Sequence, residues 1–290
     1  MTLFLQAVVS GLTFGSIYGL VGLGYVIVYK ATKVLNFALG DLVMLGAMVG
    51  LILHVEQEIP YWPTFFAVLL IVALLGLVIE RVAYRPLIKA PHFAIILTTA
   101  AVGEIIRSLA RIWRGDELRY FPAILSRRPL DVGGVAVSPL GLGIIGIGLA
   151  LVLIFYLFFN FTTTGKTMRA ASQNIDAASL VGIDVPRTFA LLWAIASAMA
   201  AAAGILIAPL VLITPEMGNI AIKAFVAAIL GGFTSIPGAI VGGLLWGVIE
   251  NLVGIYISTA FKDVVAFIVL IAVLMVKPAG LFGKQQRARV

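Results

Sequence analysis

The sequence predicts an all-α fold in which many transmembrane helices pack into one bundle, and three observations support it. Of the 290 residues, 62% are hydrophobic and only 11% are charged, whereas a soluble domain averages roughly half apolar and a quarter charged. The mean hydropathy is +1.13, and a soluble fold of this length would leave roughly a quarter of its extended-chain surface in water. Long apolar runs separate the charged residues. We therefore expect one membrane domain over residues 1–290 that is solvated directly by the lipid bilayer.

Apolar runs of spanning length follow one another along the chain. A hydrocarbon core of about 30 Å requires roughly 20 mostly apolar residues per helix. Suitable runs occupy residues 2–29, 35–55, 59–79, 92–113, 132–165, 188–215 and 261–276.

The stretch 219–257 is harder to divide. Residues 220–230 are too short to cross alone, so we expect a half-helix there, followed by a turn at residues 231–238 and a further span. The sequence thus predicts eight or nine spans with a late half-helix and hairpin.

Basic residues between the runs predict the orientation in the membrane, because positively charged loops stay in the cytoplasm. One set of alternate loops is rich in them: Lys30, Lys33, Arg81, Arg85, Lys89, Lys166, Arg169, Arg187, Lys277 and the basic tail at 284–289. The opposite set is poorer, although its loop at residues 111–128 holds five arginines. This pattern predicts an outside N-terminus and a cytoplasmic C-terminus. The first run lacks the flanks of a signal peptide, and we expect it to be retained.

Small residues recur every four positions in several runs, and in lipid this spacing lets helix backbones approach closely. These stripes predict a compact bundle but carry no information on a substrate. They comprise Gly11, Gly15 and Gly19, then Gly46 and Gly50, then Ala194, Ala198 and Ala202, then Gly243 and Gly247.

Composition argues against several classes of function. Cysteine is absent, and His54 and His92 lie far apart in sequence, so we expect neither disulfides nor a metal site. The net charge of +7 comes from short loops between apolar runs, which indicates topology rather than nucleic-acid binding. We find no Ser/His/Asp set, convincing carboxylate pair or metal-ligand cluster, so an enzyme is not expected.

One sequence imitates a phosphate-binding loop. Gly165, Lys166 and Thr167 match its end, but the full pattern requires a glycine where Asn160 stands. A strand should also precede the loop, whereas the preceding run is a predicted span. We therefore expect this chain to bind no ATP or other cofactor itself.

Residues 162–187 form a polar segment with helical character on the predicted cytoplasmic side. Spacings of three and four place a set of small and apolar residues on one helical face: Met168, Ala171, Ile175, Ala178 and Val181. Gly182 suits a helix stop, and Asp184 with Pro186 suits the next helix start. We expect one short amphipathic helix, which either rests on lipid headgroups or docks into a groove of a cytoplasmic ATPase.

Polar residues inside the predicted spans are candidates for a translocation path, because charges there are costly and usually face a cavity or a partner. Asp41 follows Asn36 and Gly40, where a broken helix would expose backbone groups and the carboxylate to the path. A transport role and a structural role for Asp41 are equally compatible with this pattern. Glu104 lies three residues before Arg107, which favours a structural ion pair over a transport role. Two further candidates are Lys223, for which snorkelling is the alternative, and Glu250, which is pore-facing or interfacial.

Five separated motifs resemble permeases of the branched-chain amino-acid class of ATP-binding-cassette importers, in the same order. The similarity runs over about residues 10–283, is closer to the first of that family's two permease types, and is weakest at residues 114–136. Leu39 stands where the family often has histidine. The motifs are Asn36-Phe37-Ala38-Leu39-Gly40-Asp41, Glu80-Arg81-Val82-Ala83-Tyr84-Arg85-Pro86, the stretch from Gly165 to Ile183, the stretch from Ala224 to Ala239, and Lys262-Asp263-Val264-Val265.

This resemblance implies a bacterial inner-membrane importer for leucine, isoleucine, valine or related amino acids. It implies a second related permease, two cytoplasmic ATP-binding subunits that use ATP and Mg, and a periplasmic solute-binding protein. Residues 162–187 would then be the coupling loop, with contacts from Gly165, Arg169, Ala170, Asn174, Ala177, Ala178 and Gly182.

Other functions stay open on the sequence alone. The same family includes permeases for urea and small amides. A stand-alone channel or secondary transporter would need internal inverted repeats or a proton relay, and neither is evident.

Overall fold

A computed structural model describes residues 2–88, 90–126 and 128–283. Lys89, Arg127 and the basic tail at residues 284–289, which entered the orientation argument, lie outside these ranges. The described residues form an almost entirely helical bundle, as the apolar runs predicted. The helices are α1 Thr2–Thr32, α2 Leu39–Leu51, α3 Tyr61–Ile79, α4 His92–Arg114, α5 Pro139–Phe161, α6 Thr163–Gln173, α7 Ile175–Leu180, α8 Val185–Ile207, α9 Ile220–Gly231, α10 Ile236–Tyr256 and α11 Phe261–Val276.

Irregular turns extend several of these helices. A π-helical turn, Ile52–Glu56, continues α2; a second, Glu80–Tyr84, continues α3 and passes into a 3-10 turn, Arg85–Leu87. Another 3-10 turn, Pro215–Asn219, leads directly into α9.

Within the described ranges, seven helices are long and apolar enough to cross a membrane: α1, α2 with its extension, α3 with its extensions, α4, α5, α8 and α10. Helix α9 has 12 residues, which agrees with the expected half-helix. Helix α11 matches the last apolar run but has only 16 residues, or about 24 Å at 1.5 Å per residue. The chain is thus a multi-pass membrane protein.

The fifth span begins later than the apolar run suggested. Residues 132–137 belong to a small antiparallel hairpin of β1, Leu130–Val132, and β2, Val135–Val137. Gly133 and Gly134 both have positive φ, 63° and 83°, which the tight turn requires. Helix α5 then starts at Pro139, where Ser138 caps its first turn. Two ends of the bundle can therefore be named: the hairpin end, where α5 begins, and the α6–α7 end, where it finishes.

The centre of the bundle is α1, which is buried along most of its length, and it packs most extensively on α10. Their contact, the α1–α10 seam, joins Gly11, Gly15 and Gly19 to the backbone around Gly243 and Gly247. A Cβ atom on Gly15 would lie 2.8 Å from the Gly243 carbonyl oxygen, closer than van der Waals contact permits. The glycine stripes predicted from the sequence thus face each other across this seam.

Candidate functional site

Helix α2 begins inside the bundle rather than at its surface. After α1 ends at Thr32, residues 33–38 are non-helical, and Lys33 has a left-handed φ of 58°. Asn36 is buried, and its Oδ1 accepts hydrogen bonds from the Ala38 amide at 3.1 Å and the Tyr84 hydroxyl at 3.4 Å. The Phe37 amide donates to Thr99 Oγ1 on α4 at 3.0 Å. These bonds hold the broken segment that the sequence indicated before Asp41.

The start of α2 meets the start of α9. Gly40 lies against the turn Pro215–Asn219: a Cβ atom on Gly218 would be 3.2 Å from the Gly40 carbonyl oxygen. A Cβ atom on Gly40 would be 2.8 Å from the Ala221 methyl group on α9. We call this contact the α2–α9 junction. Two helix N-termini converge there, and the aligned peptide dipoles give each a partial positive charge.

A buried ion pair lies at the junction. Arg107 on α4 donates to Asp41 Oδ1 from Nη2 at 2.9 Å and from Nε at 3.0 Å. Gly103, one turn before Arg107, packs directly on the other carboxylate oxygen of Asp41. The predicted pair of Glu104 with Arg107 also exists, at 3.6 Å, but the Glu104 side chain is mostly exposed. The sequence therefore predicted the weaker partner and missed the stronger one.

A second ion-paired group joins the last three helices. Lys223 Nζ on α9 contacts Glu250 Oε1 on α10 at 2.6 Å and Asp263 Oδ1 on α11 at 3.1 Å. Glu250 is buried, whereas the Asp263 side chain is 74% exposed. Lys223 therefore pairs with two carboxylates. The sequence named Lys223 and Glu250 as separate candidates and did not link them.

The predicted coupling loop contains two helices instead of one. Asn174 has extended backbone angles and caps α7, because its Oδ1 accepts a hydrogen bond from the Ala177 amide at 3.0 Å. This cap ends the single amphipathic face that the spacing predicted. Met168, Ala171 and Ala178 on that face are buried, but Ile175 and Val181 are exposed.

Helix α6 is tied to the end of α5. The Arg169 guanidinium donates to the Phe159 carbonyl oxygen and lies over the Phe159 ring, 5.7 Å from its centroid. Gly165 is buried against the carbonyl groups of Phe158 and Phe159, where a side chain would not fit. Ala170 is half-buried beside them. These three residues of the predicted coupling set therefore shape the corner between α5 and α6.

Helix α7, in contrast, projects from the bundle. Of its residues only Ala178 is buried, while Asn174 and Ala177 are exposed. Leu180 and Val181 are 87% and 77% exposed, which makes an apolar tip. Gly182 follows with a φ of 84°, and a Cβ atom there would meet no atom within 4 Å. The sequence did not single out Leu180.

A cavity of about 130 Å³ lies beside the start of α7 and is lined by Ile175 together with residues of the turns that extend α3, the start of α4, α8 and the end of α1. On one side of it, buried Glu80 pairs with Arg85 at 3.0 Å. Arg85 also donates to the Pro186 carbonyl oxygen at 3.4 Å, which links the end of α3 to the start of α8. The start of α7 is therefore packed against a cavity.

Ion pairs at the hairpin end involve three arginines of residues 111–128, the stretch that disagreed with the orientation pattern. Arg114 and Arg119 contact Glu56 at 2.8 and 3.2 Å, and Arg111 contacts Glu216 at 2.5 Å. Hydrogen bonding to Arg111 holds the pKa of the Glu216 carboxyl below its ordinary value. Much of the positive charge in this loop is therefore paired with acidic residues.

Across residues 2–88, 90–126 and 128–283, no group of three or more His, Asp or Glu side chains is arranged to hold a metal ion. The candidate sites thus consist of ion pairs, helix ends and apolar surfaces.

Comparison with known proteins gives a consistent result. The profile of the family described as "Branched-chain amino acid transport system / permease component" matches residues 7–274. The chain is 33% identical over 302 aligned residues to the high-affinity branched-chain amino acid transport system permease protein LivH of Salmonella typhimurium, covering 99% of this chain and 98% of that one. It is 32% identical over 301 residues to the corresponding permease BraD of Pseudomonas aeruginosa, with the same coverage.

Similarity at the level of the fold extends further. The solved structure of PsaBC from Streptococcus pneumoniae in complex with Fab aligns with a TM-score of 0.50 and 18% identity, covering 95% of this chain and 92% of that one. At this identity the likeness concerns the fold alone.

Proposed function

The chain belongs to the family of permease components of branched-chain amino acid transport systems, and we propose that it carries leucine, isoleucine, valine or a related amino acid into the cell. The observation that supports this most is the similarity to LivH and BraD over nearly the whole chain. Permeases of this kind are transport subunits of ATP-driven importers. The chain would accordingly work with a second related permease, two ATP-binding subunits that use ATP and Mg, and a periplasmic solute-binding protein.

The orientation proposed from the basic residues fits this assembly. With the N-terminus outside the cell, the α6–α7 end faces the cytoplasm and the hairpin end faces the binding protein. This orientation counts the segment that contains the half-helix α9 as one crossing of the membrane.

For the translocation path we propose the α2–α9 junction. Asp41 and Arg107 lie where two helix N-termini converge, and discontinuous helices of this kind often form substrate sites in transporters. Asn36, Gly40 and Glu104 border the same junction. A zwitterion needs both signs of charge in its surroundings, and the junction offers them together. Lys223 and Glu250, already paired with each other, support the helices beside the path.

For the coupling to ATP hydrolysis we propose a division of labour within residues 162–187. Helix α6, with Gly165, Arg169 and Ala170, transmits movement to α5, while α7 makes the contact with the ATPase. The exposed tip of Leu180 and Val181 suits insertion into an apolar groove of the ATPase. Asn174, Ala177 and Gly182 would contact the ATPase beside this tip.

The experiment that tests this proposal places the same charge at the two ends of the bundle. In the assembled importer, we expect Leu180→Glu to lower both co-purification of the ATPase subunits and ATP-driven leucine uptake by about tenfold or more, because buried apolar anchors dominate interface energies. Leu118→Glu is the control for co-purification of the ATPase subunits, since Leu118 is 68% exposed at the opposite, hairpin end.

The outcomes separate the parts of the proposal. Unchanged co-purification and uptake in Leu180→Glu would remove α7 from the ATPase contact. A wild-type assembly that hydrolyses ATP but takes up no leucine, isoleucine, valine or related amino acid would instead refute the proposed substrates.

A further inference from the structure

Resting on the proposed function, we propose that Phe37, Phe225 and Phe233 form the inner gate of the translocation path, and that α6 acts on this gate through the end of α1. The three rings form a contiguous cluster: the Phe37–Phe225 and Phe225–Phe233 centroids are 6.2 and 5.5 Å apart. Tyr25 and Tyr29 on α1 pack behind them, at 5.6 Å from Phe225 and 5.1 Å from Phe233.

The cluster lies next to the junction, on its α6–α7 side. Phe37 precedes Asp41 by four residues in the broken segment, and Phe225 is one turn beyond Ala221, which contacts Gly40. A solute that leaves the Asp41–Arg107 pair toward the α6–α7 end would therefore meet aromatic side chains next. Apolar constrictions block hydrated solutes because water withdraws from them. A charged pair followed by an aromatic cluster therefore suits a path that must stay closed to ions between transport cycles.

Exposure and backbone structure divide the cluster into a fixed and a movable part. Tyr25 is only 3% exposed, whereas Phe37 is 43% exposed. Phe233 lies in the turn between α9 and α10, close to two backbone hydrogen bonds that fasten the end of α9: the Leu281 amide donates to the Leu230 carbonyl at 2.8 Å, and the Phe282 amide to the Gly231 carbonyl at 3.0 Å. The Phe37 backbone is also held, because its amide donates to Thr99 Oγ1, but its side chain is exposed, and exposed side chains change rotamer readily. We therefore assign Phe37 as the movable member of the gate.

A continuous set of contacts links α6 to this cluster. Two cations lie over the Phe159 ring at the end of α5: Arg169 of α6 and Lys30 of α1, each 5.7 Å from the ring centroid. Lys30 follows Tyr29, whose ring packs on Phe233. Movement of α6 would displace Phe159 and the last turn of α1, and with it one wall of the gate. Such spatial continuity becomes a mechanism only if changes at both ends prove coupled, which can be measured.

The gate is tested by leakage. Proteoliposomes carrying the assembled importer are loaded with radiolabelled leucine, and efflux is measured without ATP. We expect Phe37→Ala to raise efflux about 2- to 10-fold, the population change that the loss of one aromatic contact produces. Phe66→Ala is the matched control, because Phe66 is 65% exposed on α3 and outside the cluster. Phe37→Leu keeps an apolar side chain and should give an intermediate efflux, which covers the case in which the alanine variant fails to assemble.

The link to α6 has its own variant. Lys30→Gln removes one cation from the Phe159 ring without touching the aromatic cluster. We expect fewer leucine molecules transported per ATP hydrolysed, with no increase in efflux. An unchanged ratio would overturn the link, and unchanged efflux in both Phe37 variants would overturn the gate. A wild-type importer that takes up no leucine would contradict the proposed function instead, so the two failures are distinct.

Discussion

At the α1–α10 seam two complete helices cross, whereas at the α2–α9 junction two helices begin inside the bundle. Both contacts depend on glycine, because in each a backbone approaches another backbone closely. The seam involves Gly11, Gly15, Gly243 and Gly247, and these glycine contacts are made by backbone atoms. The junction places Asp41 and Arg107 beside two helix N-termini.

This difference suits two roles: the seam holds the helices together, and the junction serves the proposed transport. A charged residue inside a membrane costs about 2.5–3.5 kcal/mol on insertion scales, and a glycine seam would pack two helices without that cost. Charge at the junction is therefore unexpected from packing alone, and under the proposed function the passage of a zwitterionic solute is its reason. Substitutions at the seam should accordingly affect folding through the size of the new side chain, and substitutions at the junction should affect uptake through its charge.

The largest expected effect concerns size at the seam. We expect Gly15→Leu to prevent folding of most of the protein, because the new side chain would collide with the backbone of Gly243 and Leu244 and overpacking of this kind costs about 3 kcal/mol or more. The measurement is the yield of monodisperse protein in detergent and its melting temperature. Gly146→Leu is the control, since a Cβ atom there meets no atom within 4 Å. Equal yields of the two variants would show that α1 and α10 can move apart at the seam without loss of folding.

A smaller effect, on activity more than on folding, is expected from charge at the junction. Arg107→Gln leaves buried Asp41 without its partner, and Asp41→Asn leaves Arg107 with only its longer contact to Glu104. Each change costs up to about 3 kcal/mol, because Arg107 retains some contact with solvent. We expect each single variant to lower leucine uptake at least about tenfold. Uptake is measured in proteoliposomes at equal amounts of assembled complex.

The double variant decides between structure and transport. Asp41→Asn combined with Arg107→Gln removes both charges, so its melting temperature should return close to that of the wild type. If uptake also returns, the pair only holds α2 against α4. Persistent loss of uptake in a stable protein would place the charges in the path.

The seam could be predicted from the sequence because its determinants are local. Glycines four residues apart lie on one face of a helix whatever the rest of the chain does. The half-helix α9 was likewise visible, because its apolar run is short and ends in two glycines.

The junction could be predicted only in part. The break before Asp41 was indicated by neighbouring polar and glycine residues, but the partner of Asp41 is 66 residues away, on α4. Within one helix, Glu104 was the only acid in reach of Arg107, and local spacing selected it. The division of the coupling loop was missed for another reason: Asn174 is a favourable N-cap residue, yet the apolar periodicity continued across it.

The smallest expected effect tests whether the second charged group resembles the seam or the junction. Lys223→Gln leaves buried Glu250 without its 2.6 Å partner, and we expect a loss of about 1–2 kcal/mol in stability, seen as a lower melting temperature. Asp263→Asn should change stability by less than about 0.5 kcal/mol, because solvent screens the exposed Asp263. If the group only joins α9, α10 and α11, then Lys223→Gln combined with Glu250→Gln will recover stability, and uptake will stay within about twofold of the wild type. A stable double variant with uptake as low as that of Asp41→Asn would instead extend the charged path from the junction along α9 to Lys223.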